Sequence, residues 1–183
     1  MSDSTDQPLL DVGLQLLNEL SKEELIEIIV DDAKNWLAHD GLWFQAVEAK
    51  HGMEEAIDAD RDAWEKFTVI EAKRIMARLH IAPGGGIPAL IECLRHRLYA
   101  RLNLQECVEV SANRVVFRMV DCRVQSARKR KGLADFPCKS VGIVEYSGFA
   151  RTIDPRIETR CIACPPDAHP DEFWCAWEFT LPG

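Results

Sequence analysis

The sequence predicts an α+β fold, with N-terminal helices followed by an antiparallel sheet of about four strands packed against further helices. Three observations carry this expectation. Apolar residues recur at helical spacing from Leu9 to about Leu79. Strand-like, β-rich runs begin only after Leu104. Pro83-Gly84-Gly85-Gly86 punctuates the chain between the two regions. A chain of 183 residues, 47% of them hydrophobic, is long enough for one sizeable core, and no linker or low-complexity stretch divides it. We therefore expect one domain over residues 1–183, with a helical part over 1–84 and an α+β part over 85–183.

Two helices fit between Leu9 and about Leu37. The second opens on a capping box in which Ser21 is followed three residues later by Glu24, ahead of Leu25, Ile28 and Ile29. Gly41 is expected to punctuate, and Leu42-Trp43-Phe44 with Val47 begins a short helix ending near His51-Gly52. A longer helix follows from Met53 to about Leu79, with Ile57, Trp64, Phe67, Ile70, Ile75 and Met76 mainly on one stripe. After the glycine break the helical pattern resumes from Ile87 to about Leu102 through Leu90, Ile91, Leu94 and Leu98. No Gly-Lys-Ser/Thr follows the glycines and no strand pattern precedes them, so they read as a flexible turn and not as a phosphate loop. His80 and His96 flank this region without a partner at ligand spacing and read as ordinary surface or interface histidines.

Beyond Leu104, Cys107-Val108-Glu109-Val110 and the run from Val115 to Val120 are separated by Ser111-Ala112-Asn113-Arg114, which is hairpin chemistry. Phe136-Pro137-Cys138 then leads into a helix from about Lys139 to Ile153, which Asp154-Pro155 ends. Two more strands fit around Glu158 to Ala163 and Phe173 to Leu181, the second placing Phe173, Cys175, Trp177 and Phe179 on one face.

The net charge of -8 is uneven: Asp, Glu, Lys and Arg sum to -12 over residues 1–60, +8 over 61–160 and -4 over 161–183. Arg128-Lys129-Arg130-Lys131 is the only dense basic cluster. A nucleic-acid surface is normally broader and set in a basic domain, so this run reads as a solvated loop or helix face and no nucleic-acid partner is expected. The acidic start MSDSTDQPLL lacks a charged segment followed by an apolar run, and no apolar stretch approaches bilayer length. The expected location is cytoplasmic, with no membrane partner. In that reducing compartment seven cysteines are poor disulfide candidates, which favours metal ligation for those that cluster. Cys93, Cys107 and Cys122 read instead as buried small hydrophobes.

Cys138, Cys161, Cys164 and Cys175 are the clustered set. Cys161-Ile-Ala-Cys164 supplies two thiolates at a spacing one ion can bridge, and Cys138 and Cys175 could complete a closed tetrahedral set. Cys138 falls at a helix start, where unpaired amides and the helix dipole favour a thiolate. Antiparallel pairing of the last two strands would bring Cys161, Cys164 and Cys175 near the mouth of their connecting loop. Four thiolates favour zinc, with an iron or iron-sulfur centre as the alternative. Cys122 is the alternative to Cys175 as a ligand.

A helix-capping Cys, an amphipathic helix, Glu-x-x-Cys on a strand and a final Cys-x-aromatic strand together resemble the vinyl reductase domain, a small-molecule-binding module. The resemblance covers about residues 85–183. It implies zinc ligation by Cys138, Cys164 and Cys175, with Cys161 standing where the family often has Glu. A second register reads Glu158-Thr159-Arg160-Cys161 as the Glu-x-x-Cys. Lys139 stands where the family commonly has His, and Pro165 to Trp174 replaces a shorter turn. The chain is also similar to a bacterial group of amino-thiazoline-carboxylate hydrolase-like and uncharacterised cytosolic proteins, which offers a better analogue for the N-terminal helices.

The resemblance implies an apolar pocket for a small hydrophobic molecule beside the metal. Trp36, Trp43, Trp64, Phe67, Phe117 and Phe149 are candidates for its lining, although each also reads as a core residue. The alternative is a small-molecule hydrolase with Glu145 as general base, set against a carboxylate paired with Arg151 or Arg156. A closed four-sulfur zinc leaves no position for a substrate water, which argues for a structural metal. Exposed faces of the N-terminal helices could pair two copies as a homodimer.

Overall fold

The computed structural model describes residues 9–182, with side chains from residue 13. Helices α1 (Leu9–Glu19) and α2 (Lys22–His51) meet at Ser21. The expected capping box is present: the Ser21 hydroxyl accepts from the Glu24 N–H at 3.2 Å, and Glu24 Oε2 accepts from the Ser21 N–H at 2.8 Å. Gly41 does not interrupt α2, which is one helix where two were expected. A lone glycine costs a helix about 1 kcal/mol. Packing offsets that cost, since Phe44 meets Phe136 edge-on with ring centroids 4.9 Å apart. Helix α3 (Met53–Leu79) runs between the expected bounds and ends at His80, whose φ of 55° is left-handed.

Helix α4 (Gly86–Arg95) is shorter than the helical pattern suggested, and a 3-10 turn at Leu98–Arg101 follows it. The preceding glycine turn is pinned by three contacts. The Gly84 N–H donates to the Ile153 carbonyl at 2.9 Å, the Gly86 N–H donates to Asp154 Oδ2 at 3.1 Å, and Arg156 holds that same oxygen at 2.7 Å. A carboxylate therefore already sits at the α4 N-terminus, the place where a phosphate would otherwise bind.

Strands β1 (Leu104–Val108), β2 (Arg114–Asp121), β3 (Glu158–Ala163) and β4 (Cys175–Thr180) form one antiparallel sheet in the order β1-β2-β4-β3. Two helices lie between the hairpins in sequence, α5 (Arg123–Arg130) and α6 (Lys139–Ile153). Helix α6 matches its expected range. Helix α5 was not expected, because its anchor is polar. Gln125, 1% exposed, donates from Nε2 to the Phe136 carbonyl at 2.9 Å and accepts at Oε1 from the Phe136 N–H at 2.8 Å. An element fastened by one buried amide has no hydrophobic period to read.

The core spans both parts of the chain. Ala72, Ile75 and Met76 of α3 join Ile87, Leu90 and Leu94 of α4, Phe149 and Ile153 of α6, and Val115, Phe117, Trp177 and Phe179 of the sheet in one buried cluster. Helix α6 can lie on β4 because Gly142 has no side chain: a Cβ there would stand 2.6 Å from the Trp177 ring. Helix α2 is tied in through Trp36, which stacks on Phe67 at 5.6 Å and meets Trp64 edge-on at 6.2 Å. No described helix is long and apolar enough to cross a membrane.

Candidate functional site

The thiols are brought together by three separate elements. Cys138 is the residue before α6, Cys164 follows β3 and Cys175 opens β4. Cys138 Sγ and Cys164 Sγ lie 3.6 Å apart, and the Gln125 side-chain amide donates to Cys138 Sγ at 3.6 Å. The Trp177 indole N–H donates to Cys175 Sγ at 3.4 Å. The Cys164 contact, the local backbone and Gln125 hold the Cys138 thiol below its ordinary range. Cys164 is pushed the other way by Cys138 and Cys175 beside it and by burial.

A tetrahedral ion with metal–sulfur bonds of about 2.3 Å sets its sulfurs roughly 3.8 Å apart. The Cys138–Cys164 pair meets that spacing. Among the described residues, however, no group of three or more His, Cys, Asp or Glu is arranged to hold a metal ion. The fit is thus to a pair with Cys175 nearby, and not to a preformed cage. Cys161 is half-buried on β3 opposite Trp177, with Lys139 and Asp167 as charged neighbours. Cys122 is also half-buried and lines the same cavity as Cys138, Cys164 and Cys175, and burial pushes its thiol up to about 12. Glu158, the carboxylate of the second Glu-x-x-Cys register, is exposed and pairs opposite Thr180, at the other end of β3 from Cys164.

That cavity has a volume of about 530 Å³, within the range of small-molecule sites. Its walls come from α2, α3, α5, α6, the 3-10 turn and the sheet, and its rings are Phe44, Trp64, Tyr99, Phe136, Tyr146 and Trp177. Of the aromatic residues expected at a pocket only Trp64 lines it. Phe117 and Phe149 belong to the core, Trp36 and Phe67 pack around Trp64, and Trp43 is 60% exposed. The basic run belongs to the same region, since Arg123, Arg128, Arg130 and Lys131 line the cavity from α5 and the turn after it.

Glu145 lines the cavity but is not free. Its partner is Arg97, and not Arg151 or Arg156: Arg97 Nη1 stands 2.7 Å from Glu145 Oε1, and Arg97 Nε donates to Glu71 Oε2 at 2.8 Å. Arg156 is taken by Asp154, and Arg151 donates to Ser147. Burial works against the Arg97 charge, yet the Glu145 and Glu71 carboxylates outweigh it and hold Arg97 firmly protonated. Burial raises Glu145, while Arg97 pulls it back.

Two further carboxylates, Asp40 of α2 and Asp60 of α3, line the cavity beside Glu145. Burial, then Asp40, then Glu145 push Asp60 up to about 7, with Trp64 opposing. A carboxyl raised on folding contributes its stability while protonated, and that stability is lost as pH climbs from the ordinary carboxylate value towards 7. Asp60→Asn is therefore expected to raise the Tm by a few degrees, more at about pH 8 than at about pH 5. Thermal melts at the two pH values check this, and equal gains would remove Asp60 as the titrating group.

Sequence reasoning reached Cys138, Cys161, Cys164, Cys175 and Glu145, and all of these but Cys161 line one cavity. It also pointed to Tyr146 beside Glu145, and it missed Tyr99, Asp40, Asp60 and Arg97 as parts of that region. Nothing local marked them, since Asp60 sits in a charged run from Asp58 to Asp62 and Arg97 follows Arg95 and His96.

A family model described as a family of unknown function (DUF6125) matches residues 18–181. No curated protein and no solved structure matches the chain.

Proposed function

We propose that this chain, which belongs to that family of unknown function, binds a small, largely apolar molecule in the 530 Å³ cavity and holds a zinc ion at the thiols in its wall. One observation carries the reading: thiols from the α6 start, the β3 end and the β4 start converge on a cavity walled by aromatic rings. The same placement supports the resemblance to the vinyl reductase domain. Cys138, Cys164 and Cys175 would hold the ion, with Cys161 or Cys122 completing the set. The ion would cross-link α6 to the β3–β4 hairpin. Apolar walls favour a hydrophobic body, and the few polar groups orient it. The seven unpaired cysteines suit a reducing cytoplasm. Leu14, Leu16, Ile26, Leu42 and Trp43 are exposed on α1 and α2, which supports pairing of two copies. A hydrolase would need Glu145 to leave Arg97 before acting as a base, so that reading ranks second.

Elemental analysis and native mass spectrometry on freshly purified, reduced protein test the proposal together. The expected result is one zinc per chain, lost in Cys138→Ser and Cys164→Ser, and a retained small molecule released on denaturation. Iron in place of zinc would keep the site and change its ion. Metal-free protein with reduced thiols would sink the metal half, and unchanged metal in Cys175→Ser would promote Cys122 to ligand.

A further inference from the structure

One side of the cavity wall gathers more carboxylates than the one cation paired with them balances. Asp40, Asp60 and Glu145 line it from three different helices, α2, α3 and α6, and Glu71 lies just behind. Arg97 is the cation paired with this group, and Glu71 and Glu145 already share it. A second observation is independent of the carboxylate count. Tyr146, 5% exposed, lines the cavity, and its hydroxyl has no hydrogen-bond partner among the described residues. Glu145, 8% exposed, has Oε1 within ion-pair distance of Arg97, yet that oxygen makes no aligned hydrogen bond, and neither does Arg97 Nη2. Buried polar groups are ordinarily satisfied, and with Glu145 already held by Arg97 it is the Tyr146 hydroxyl that awaits a partner inside this ligand-sized cavity. Trp64, Tyr99 and Tyr146 line the cavity beside the same carboxylates, where their rings already gather around the Arg97 guanidinium, and aromatic rings with nearby carboxylates attract cations.

We infer that this wall recognises a protonated amine carried on an aromatic or apolar body. The inference rests on the cavity-binding reading above and specifies its ligand class. Carboxylates take the ammonium hydrogens, the Tyr146 hydroxyl serves as a further acceptor, and the rings cover the cation's apolar side. The arginines and lysine on the α5 side give the cavity the opposite sign there, so it is polarised. A cation is drawn to the Asp40, Asp60 and Glu145 wall and an anion to the α5 wall. Burial first, and then the neighbouring Asp40 and Glu145 carboxylates, raise the proton affinity of Asp60, which is consistent with a wall short of counter-ions.

Calorimetric titration with three probes sharing one indole body tests this: tryptamine, indole-3-ethanol and indole-3-acetate. Tryptamine is expected to bind at least about tenfold tighter than the neutral alcohol. In Asp60→Asn the alcohol should bind as before, showing an intact cavity, while the amine's advantage falls to about twofold or less. Equal binding of all three probes would overturn the amine inference and leave the cavity reading standing. Tightest binding of indole-3-acetate would also overturn it, by moving selectivity to the α5 wall. An amine preference unchanged in Asp60→Asn would remove the assigned wall. No binding of any probe to folded protein would overturn both readings.

Discussion

Replacing Arg97 with alanine is expected to lower the unfolding free energy by about 3–5 kcal/mol. Arg97 is 2% exposed and bridges Glu71 of α3 to Glu145 of α6, with its guanidinium 4.7 Å from the Phe149 ring centroid. Truncation strands two carboxylates in a region that water reaches poorly, and each then carries its desolvation cost without compensation. Arg97→Lys would rescue little, because an ammonium cannot reproduce the fork that reaches both carboxylates. Combining Arg97→Met with Glu71→Gln and Glu145→Gln removes all three charges and is expected to recover most of the loss. Urea denaturation at neutral pH measures the series. A cost below about 1 kcal/mol for Arg97→Ala would mean that the pair is no better than a surface ion pair.

Trp177→Ala is expected to cost a similar amount, about 3–5 kcal/mol. Trp177 is 0% exposed at the centre of the sheet, packs on Tyr146 at 4.9 Å, lies against Gly142 and donates its N–H to Cys175. Its removal opens new space next to the cavity and leaves the α6–β4 contact underfilled. Gly142→Ala provides the complementary measurement. In the wild-type background the added methyl meets the Trp177 ring and is expected to destabilise by about 1–3 kcal/mol. In the Trp177→Ala background the same methyl enters vacated space and its cost should vanish. A double-mutant cycle from denaturation midpoints reads the coupling directly. Purely additive effects would show that the two residues do not share this contact.

Local signals were legible where they are strong at short range. The Ser21–Glu24 box, the Met53 start of α3, the Lys139–Ile153 range of α6 and the Glu158–Ala163 range of β3 were all readable from capping chemistry, proline punctuation and apolar period. Gly41 misled because a glycine's cost is small against the packing of the helix that runs through it. Helix α5 was hidden because its anchor, Gln125, reaches the backbone of Phe136 in another segment. The candidate site divides in the same way. Cysteine spacing singled out Cys138, Cys161, Cys164 and Cys175, of which Cys161 does not line the cavity, whereas Cys122, read as a buried small hydrophobe and as the alternative to Cys175, is carried to the cavity wall between β2 and α5.

Composition and periodicity by themselves determined the fold class, the order of helices and strands, and the gathering of chemistry-bearing cysteines at the α6 start and the last hairpin. The tertiary structure decided which buried charges meet and what shape they enclose: Arg97 with Glu145 and Glu71, and Asp40 with Asp60 beside an aromatic-walled cavity. The physical reason is range. Capping, turn and amphipathic preferences act over a few residues and leave their mark in the local sequence. A buried ion pair or a cavity depends on which faces of distant elements come together, and the local sequence carries no mark of that choice.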